Sequence, residues 1–313
     1  MKTILILTAS TSLSLAGTPE KPCNPQRSTN AGNPDRNNID AIIAAQGNRT
    51  NADFITPVNS ADGTELDSLR VPAEKRDYSL FNPTPNHLLR ELSPDRPDAT
   101  ESPLTVDAGR FALEASLFDY RRDHGAESYT YGQLNFKAGL THDMDLQTVV
   151  DLYSDTPDGY GFGDVTMRLK WNIYGNDGGD SALALMPFVK IPTDTDLSNN
   201  QWEGGLIIPW GTSLTDTIGL GLMAEFDYVY NEDNGDHEFE FLHTAVLGFD
   251  LTDKAGAYLE YIGIAGEDDY QAYIAGGMNY AVNDDLILDF GLQAGLNSDS
   301  EDFGFFTGFT KRF

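Results

Sequence analysis

Twelve ionisable or amide side chains recur at every second position of short, alternating segments: Lys137, Asp151, Arg168, Lys170, Lys190, Glu203, Glu225, Asp227, Glu240, Glu260, Asp289 and Gln293. Residues two apart on a strand share one face, so these groups would line one common surface. If the sheet closes on itself, that surface is a lumen. Charges there must be hydrated or paired, because an isolated buried ion is costly. The basic members come from the second, fourth and fifth segments, and the acidic ones mainly from later segments. Walls of opposite sign would set a transverse field across a narrow aqueous passage, able to orient a dipolar solute. The acidic groups outnumber the basic ones, which implies a weak preference for cations. The competing expectation is that these charges pair across the lumen and fill it.

Catalytic constellations are absent from the pattern. The histidines are His87, His124, His142, His237 and His243, most of them in turn-like stretches. Strict alternation points His243 away from the charged face, which suggests a bulge on that strand. No serine lies near it, as a lipid hydrolase would need; Thr244 and Ala245 follow. The string Gly211-Thr212-Ser213-Leu214-Thr215 has threonine where a nucleophile elbow needs glycine. The acidic loop Asn231 to Asp236 has no glutamate closing a twelve-residue calcium frame. The chain reads as a non-enzyme with no cofactor and no metal.

The elements that must position the charged face are strands. Segments of about ten residues alternate in polarity from Arg110 onward, each ending in a turn rich in Gly, Asp, Asn or Pro. The clearest sets Val165, Met167, Leu169, Trp171 and Ile173 against Asp164, Thr166, Arg168, Lys170 and Asn172. The last, Phe303 to Phe313, puts Phe303, Phe305, Thr307, Phe309 and Phe313 on one face and ends on an aromatic. Short turns (142–145, 215–216, 252–254, 283–285) alternate with longer loops (156–162, 193–201, 231–237). Outer-membrane barrels show this asymmetry, an even strand count, and a terminal aromatic strand. A soluble sandwich would bury its apolar face; here the apolar face is aromatic enough to meet lipid. The expected fold is therefore all-β, a transmembrane antiparallel up-and-down barrel of about twelve strands over 104–313.

The rest of the chain fits export. Met1-Lys2 and the short apolar core to Leu15 read as a signal peptide, residues 1–16, cleaved after Ala16. Thr18 stands where lipidation needs cysteine, and Cys23 lies too late, leaving a lone thiol. No apolar run approaches the ~18 residues of a membrane helix. Residues 17–103 read as a largely disordered periplasmic extension, polar to about residue 80, with one helical candidate at 39–45. A net charge of −29 over 313 residues argues against nucleic acid. The partners expected are outer-membrane lipid and lipopolysaccharide, the barrel-insertion machinery (through Phe309 and Phe313) and a small-molecule solute.

Ser93 to Pro103, just before the first strand, holds three prolines, three acids and one arginine. It could fold into the lumen as a plug, with Asp95, Arg96 and Glu101 bonding the wall. The alternative is an extended lead-in that its prolines keep from pairing as an edge.

Several strings together are similar to one family. They are Arg90 to Pro103 (RELSPDRPDATESP) with Thr105 to Gly109, Gly161 to Thr166 through Lys170, Val189 to Thr193, Glu203 to Pro209 and Gly308 to Phe313. Over about residues 80–313 the chain resembles the outer-membrane transporter family labelled as the putative MetA-pathway of phenol degradation. The resemblance implies an outer-membrane barrel passing small aromatic or other organic solutes passively. The alternatives are a plugged structural or surface-binding barrel and, remotely, a barrel lipid hydrolase.

Overall fold

The computed structural model describes residues 75–157, 159–232, 234–267 and 269–313. The expected signal peptide, the extension up to residue 74, the 39–45 helix and Cys23 lie outside them. Thirteen antiparallel strands follow in order. They are β1 (Phe111–Asp123), β2 (Ala126–Gly139), β3 (Met144–Thr156), β4 (Gly159–Gly161), β5 (Val165–Tyr174), β6 (Ser181–Ile191) and β7 (Glu203–Thr215). Then come β8 (Ile218–Asn231), β9 (Asp236–Asp250), β10 (Ala255–Ala265), β11 (Tyr270–Asn283), β12 (Leu286–Gly295) and β13 (Phe303–Arg312). β4 hooks onto β3 alone. The other twelve close into an up-and-down barrel, because β1 pairs with both β2 and β13 and β3 with both β2 and β5. Closure satisfies every ladder without leaving an edge, the condition a sheet must meet in lipid.

The seam is made by the aromatic terminal strand. Phe309 sits opposite Ala115, Phe305 opposite Tyr120, and the Phe313 amide donates to the Phe111 carbonyl at 2.8 Å. The outward face carries large exposed apolar side chains, among them Trp171, Phe226, Leu259, Tyr280 and Phe290. The inward face carries the charges. That inversion of ordinary globular patterning is what a hydrocarbon solvent requires.

Parity breaks at neighbouring points of β1, β2 and β3, on the last two between Tyr131 and Gln133 and between Asp151 and Ser154. The register of β1 skips between Ser116 and Phe118, leaving Leu117 bulged and exposed. Ala112, Glu114 and Ser116 face inward before the bulge; Asp119, Arg121 and Asp123 face inward after it. Simple alternation would have turned Arg121 outward, where a charged side chain is destabilising. The bulge keeps it inside, paired with Asp119 at 2.6 Å.

The expected bulge at His243 is not there. β9 pairs residue for residue with β8 and β10 through that position. His243 faces outward and stacks on Phe241, and the Tyr270 hydroxyl lies 3.2 Å from its Nε2. Gly263 stands opposite on β10, where a Cβ would strike the imidazole. The missing side chain makes the room that a bulge was expected to make.

The turn asymmetry is present only in part: the expected long loop 231–237 shrinks to 232–235, the β10–β11 connection at the same end is 266–269, and the β5–β6 connection at the Phe313 end runs over 175–180. The loops at 157–164, 192–202 and 296–302 crowd the end opposite Phe313. The connection between β1 and β2 is only a two-residue turn at that same end. His124 and Gly125 take φ of +48° and +90° there, the geometry of a tight hairpin.

Candidate functional site: the lumen and the segment that fills it

Every residue from Pro94 to Pro103 is buried inside the barrel without regular secondary structure. An irregular buried segment must find partners for its own backbone. Pro94, Pro97 and Pro103 reduce that demand, since each lacks an N–H. The wall supplies much of the rest. Glu114 accepts from the Asp95 amide at 2.9 Å. Glu260 accepts from the amides of Ala99 and Thr100 at 2.8 and 2.9 Å and from the Thr100 hydroxyl at 2.6 Å. Asn172 donates to the Pro103 carbonyl at 2.7 Å and the Tyr258 hydroxyl to that of Pro97 at 3.3 Å. The segment closes on itself at its base. The Ser93 and Ser102 hydroxyls are 3.1 Å apart, and Asp95 Oδ1 accepts from the Ser102 amide at 2.8 Å.

Its charged side chains meet the wall ion by ion. The Asp95 carboxylate accepts from Lys170 Nζ at 2.7 Å and also from Lys137. Glu101 pairs with Arg168 at 2.8 Å and with Lys170 at 3.4 Å. Arg96 forks onto Asp289, Nη2 to Oδ1 at 2.8 Å and Nε to Oδ2 at 3.3 Å, beneath the ring of Phe306. A Cβ at Gly308 would strike the Arg96 guanidinium, so the bare backbone of β13 is what lets Arg96 reach Asp289.

The lead-in is clamped at the Phe313 end of the barrel. The Arg90 amide donates to Asp107 Oδ2 at 2.9 Å, and Arg312 Nη1 donates to the Arg90 carbonyl at 2.6 Å. Lys75 lies 2.5 Å and His142 Nε2 2.7 Å from the two oxygens of Asp177, in the turn between β5 and β6. Partial burial pulls the Asp177 carboxyl upward, but the contacts with His142, Arg90 and Lys75 outweigh it and hold the group well below the usual carboxylate range.

All twelve lumen candidates are buried, none more than 6% exposed. Lys137, Arg168, Lys170, Glu260 and Asp289 converge on the inserted segment. Lys190 does not: it pairs with Glu203 at 2.9 Å and Asp164 at 3.3 Å and donates to Asn199 at 2.8 Å. Asp151 lies opposite Gln133, away from the segment, and Gln293 sits opposite Gly304. Glu225, Asp227 and Glu240 lie on the inward faces of β8 and β9, Asp227 directly opposite Glu240.

Two expectations need correction. The basic wall does not face an acidic wall across open space; acids of the inserted segment stand against it. Nor is the interior charged throughout. Met186, Phe188, Ile207, Met223, Leu242, Val246, Ile262 and Tyr273 form an apolar inner wall with Ala99 of the segment. Alternation hid this wall, because its residues occupy the same parity as Lys190, Glu225 and Glu260. Sequence reasoning also passed over Glu114, His142 and Asp177 as partners. No local pattern marks Glu114 and Asp177, whose partners lie 19 or more residues away, as for Glu114 and Asp95; His142 also meets the adjacent Asp143 at 3.4 Å.

A family model described as "Putative MetA-pathway of phenol degradation" matches residues 94–313, a span that begins at the inserted segment and includes it. Among solved structures, an outer membrane channel from Pseudomonas putida F1 aligns at 12% identity with a TM-score of 0.50, covering 65% of this chain and 94% of that one. The NanC porin aligns at 11% identity and a TM-score of 0.48, over 64% of this chain and 98% of that one. No curated protein sequence matches the chain.

Proposed function

We propose, from the premise that this chain belongs to the family described as "Putative MetA-pathway of phenol degradation", that it is an outer-membrane channel for passive passage of small solutes, occupied at rest by residues 93–103. One observation carries the reading. Most of the basic wall charges are paired with a segment that is not part of the wall, although Lys137 also keeps Glu114 of β1 as a partner. Lys137, Lys170, Arg168, Asp289 and Glu260 all take partners from it. When the segment moves aside, it leaves a lumen with a basic, hydratable wall and an apolar wall opposite. A small amphiphile with an aromatic ring and an anionic group would find a surface for each end.

The competing reading, a permanently filled barrel, draws on pairs that stay within the barrel wall, Lys190–Glu203 and Arg121–Asp119. It also draws on Leu197 and Ser198, which fold inward from the loop between β6 and β7. Liposome swelling separates the two. With the folded protein incorporated, benzenesulfonate should enter faster than into protein-free liposomes, and sucrose should lag behind it. Swelling no faster than the protein-free control for every small solute would establish the filled barrel.

A further inference from the structure

One row of the inward wall is shaped around a planar cation. Tyr258 of β10, Gly277 of β11, Gly291 of β12 and Phe306 of β13 are successive cross-strand partners. The two glycines make the floor on which the two rings lie. A Cβ at Gly291 would strike both the Phe306 ring and the Tyr258 hydroxyl, and one at Gly277 would strike the Tyr258 ring. Asp289 lies two residues from Gly291 on the same inward face of β12.

Arg96 of the inserted segment is seated there. Its guanidinium forks onto both oxygens of Asp289 and lies 5.8 Å from the centre of the Phe306 ring. The Tyr258 hydroxyl donates to the adjacent Pro97 carbonyl at 3.3 Å. Among the described residues, Arg96 is the only base within ion-pair distance of Asp289. Glu114 and Asp119 add to the negative field at Arg96, and each keeps a base of its own on the wall, Lys137 and Arg121. Arg121 also lies 5.7 Å from the Phe306 ring, but its charge is held by Asp119.

The seat outlasts its occupant. Asp289, Phe306, Tyr258 and the bare backbone at Gly308 all belong to the wall, so they stay when the segment leaves. Asp289 is then a buried carboxylate without a cation, which is costly. An aromatic face beside a carboxylate favours a cation with a weakly hydrated, apolar surround. Two oxygens approached as a fork match the parallel N–H groups of a guanidinium or amidinium better than the point charge of an ammonium.

We propose that the seat of Arg96 is a binding site for an organic cation, an amidinium or guanidinium carried on an apolar body, and that Arg96 fills it at rest as a competitor within the chain. The site adds a cationic class of solute to the anionic one that the basic wall serves. In the wild type its occupation rests on the channel reading, because the segment must first move aside. In a variant without the Arg96 guanidinium it does not.

The test is calorimetric titration of benzamidinium chloride into the full-length protein in detergent, each variant checked for folding by heat-modifiable migration. R96M should bind at one saturable site, about tenfold or more tighter than the wild type, because the competitor is gone. R96M/D289N should lose the binding. R96M/F306L should weaken it by about fivefold, which covers the case of a D289N variant that does not fold. Benzamide has the same shape without the charge, and R96M should bind it about tenfold or more weakly than benzamidinium. Folded R96M that fails to bind benzamidinium, binds it no tighter than the wild type, or binds benzamide equally well would overturn the proposal, as would undiminished binding in both double variants. Binding in R96M with none in the wild type would uphold the site and count against a segment that moves aside. No binding in R96M, beside entry of benzenesulfonate into liposomes, would remove the site and leave the channel reading standing.

Discussion

Replacing Pro94–Glu101 with two glycines should raise single-channel conductance in planar bilayers by about tenfold, because a twelve-stranded barrel emptied of its insert approaches the open porins in bore. The replacement is sterically simple. Ser93 and Ser102 already lie with their hydroxyls 3.1 Å apart, so the excised segment is a loop joined at its base. The lost residues carry Asp95, Asp98 and Glu101 against one Arg96, three negative charges and one positive, a net −2. Their removal leaves Lys137, Arg168 and Lys170 without the segment's acids. The reversal potential in a salt gradient should therefore move toward anions together with the conductance. This second readout separates a true unplugging from a leaky misfold, which would widen the pore without that sign. A folded variant with wild-type conductance would show that the ion path does not run through this segment.

Asp289→Asn should release the segment without shortening it. Arg96 is 3% exposed, and Asp289 is its forked partner. Stranding a buried cation costs about 3–5 kcal/mol, which is a hundredfold or more in the balance between seated and released segment. The cost does not have to appear as unfolding of the barrel, because leaving the lumen hydrates Arg96 again. Hydrogen–deuterium exchange is the suitable measure. Peptides covering 94–103 should lose protection by that factor, while those from β7 to β9 keep theirs. The double variant R96M/D289L removes both charges and should restore much of the protection, since two apolar groups leave nothing unpaired. Unchanged exchange in D289N would mean that the ion pair does not hold the segment.

Much of this architecture was readable in the residues because lipid imposes a strict period. Twelve alternating segments gave twelve barrel strands, and the seam at Phe309 and Phe313 follows from the terminal pattern. The misses have physical causes. Gly132, at φ +71°, interrupts the alternation of β2, so its Ala126–Tyr131 part did not stand out. The bulge at Leu117 reverses parity within β1 and hid Asp119 and Arg121 as lumen residues. At His243 the local rule called for a bulge, and a glycine on the neighbouring strand met the need instead. The segment's acids and arginine were visible as ions needing partners, but their place was undetermined, since prolines suit an extended lead-in and a buried loop equally well. Only the tertiary arrangement sets Asp95 beside Lys137 and Lys170, 42 and 75 residues away. The apolar inner wall was hidden for a simpler reason: a period-two pattern says which residues share a face and nothing about whether that face is wet.

The central claim is that movement of residues 93–103 opens the lumen, and a reversible lock tests it most directly. The hydroxyls of Thr100 and Thr244 are 2.6 Å apart, both side chains buried, one on the segment and one on β9. Cysteines at these two positions, T100C/T244C with the native thiol removed as C23S, stand close enough for a disulfide to form. Single-channel recording of this variant should show an oxidised form that is electrically silent and regains wild-type conductance steps when reductant is added to the chamber. An oxidised, fully cross-linked protein that conducts like the wild type would contradict the account.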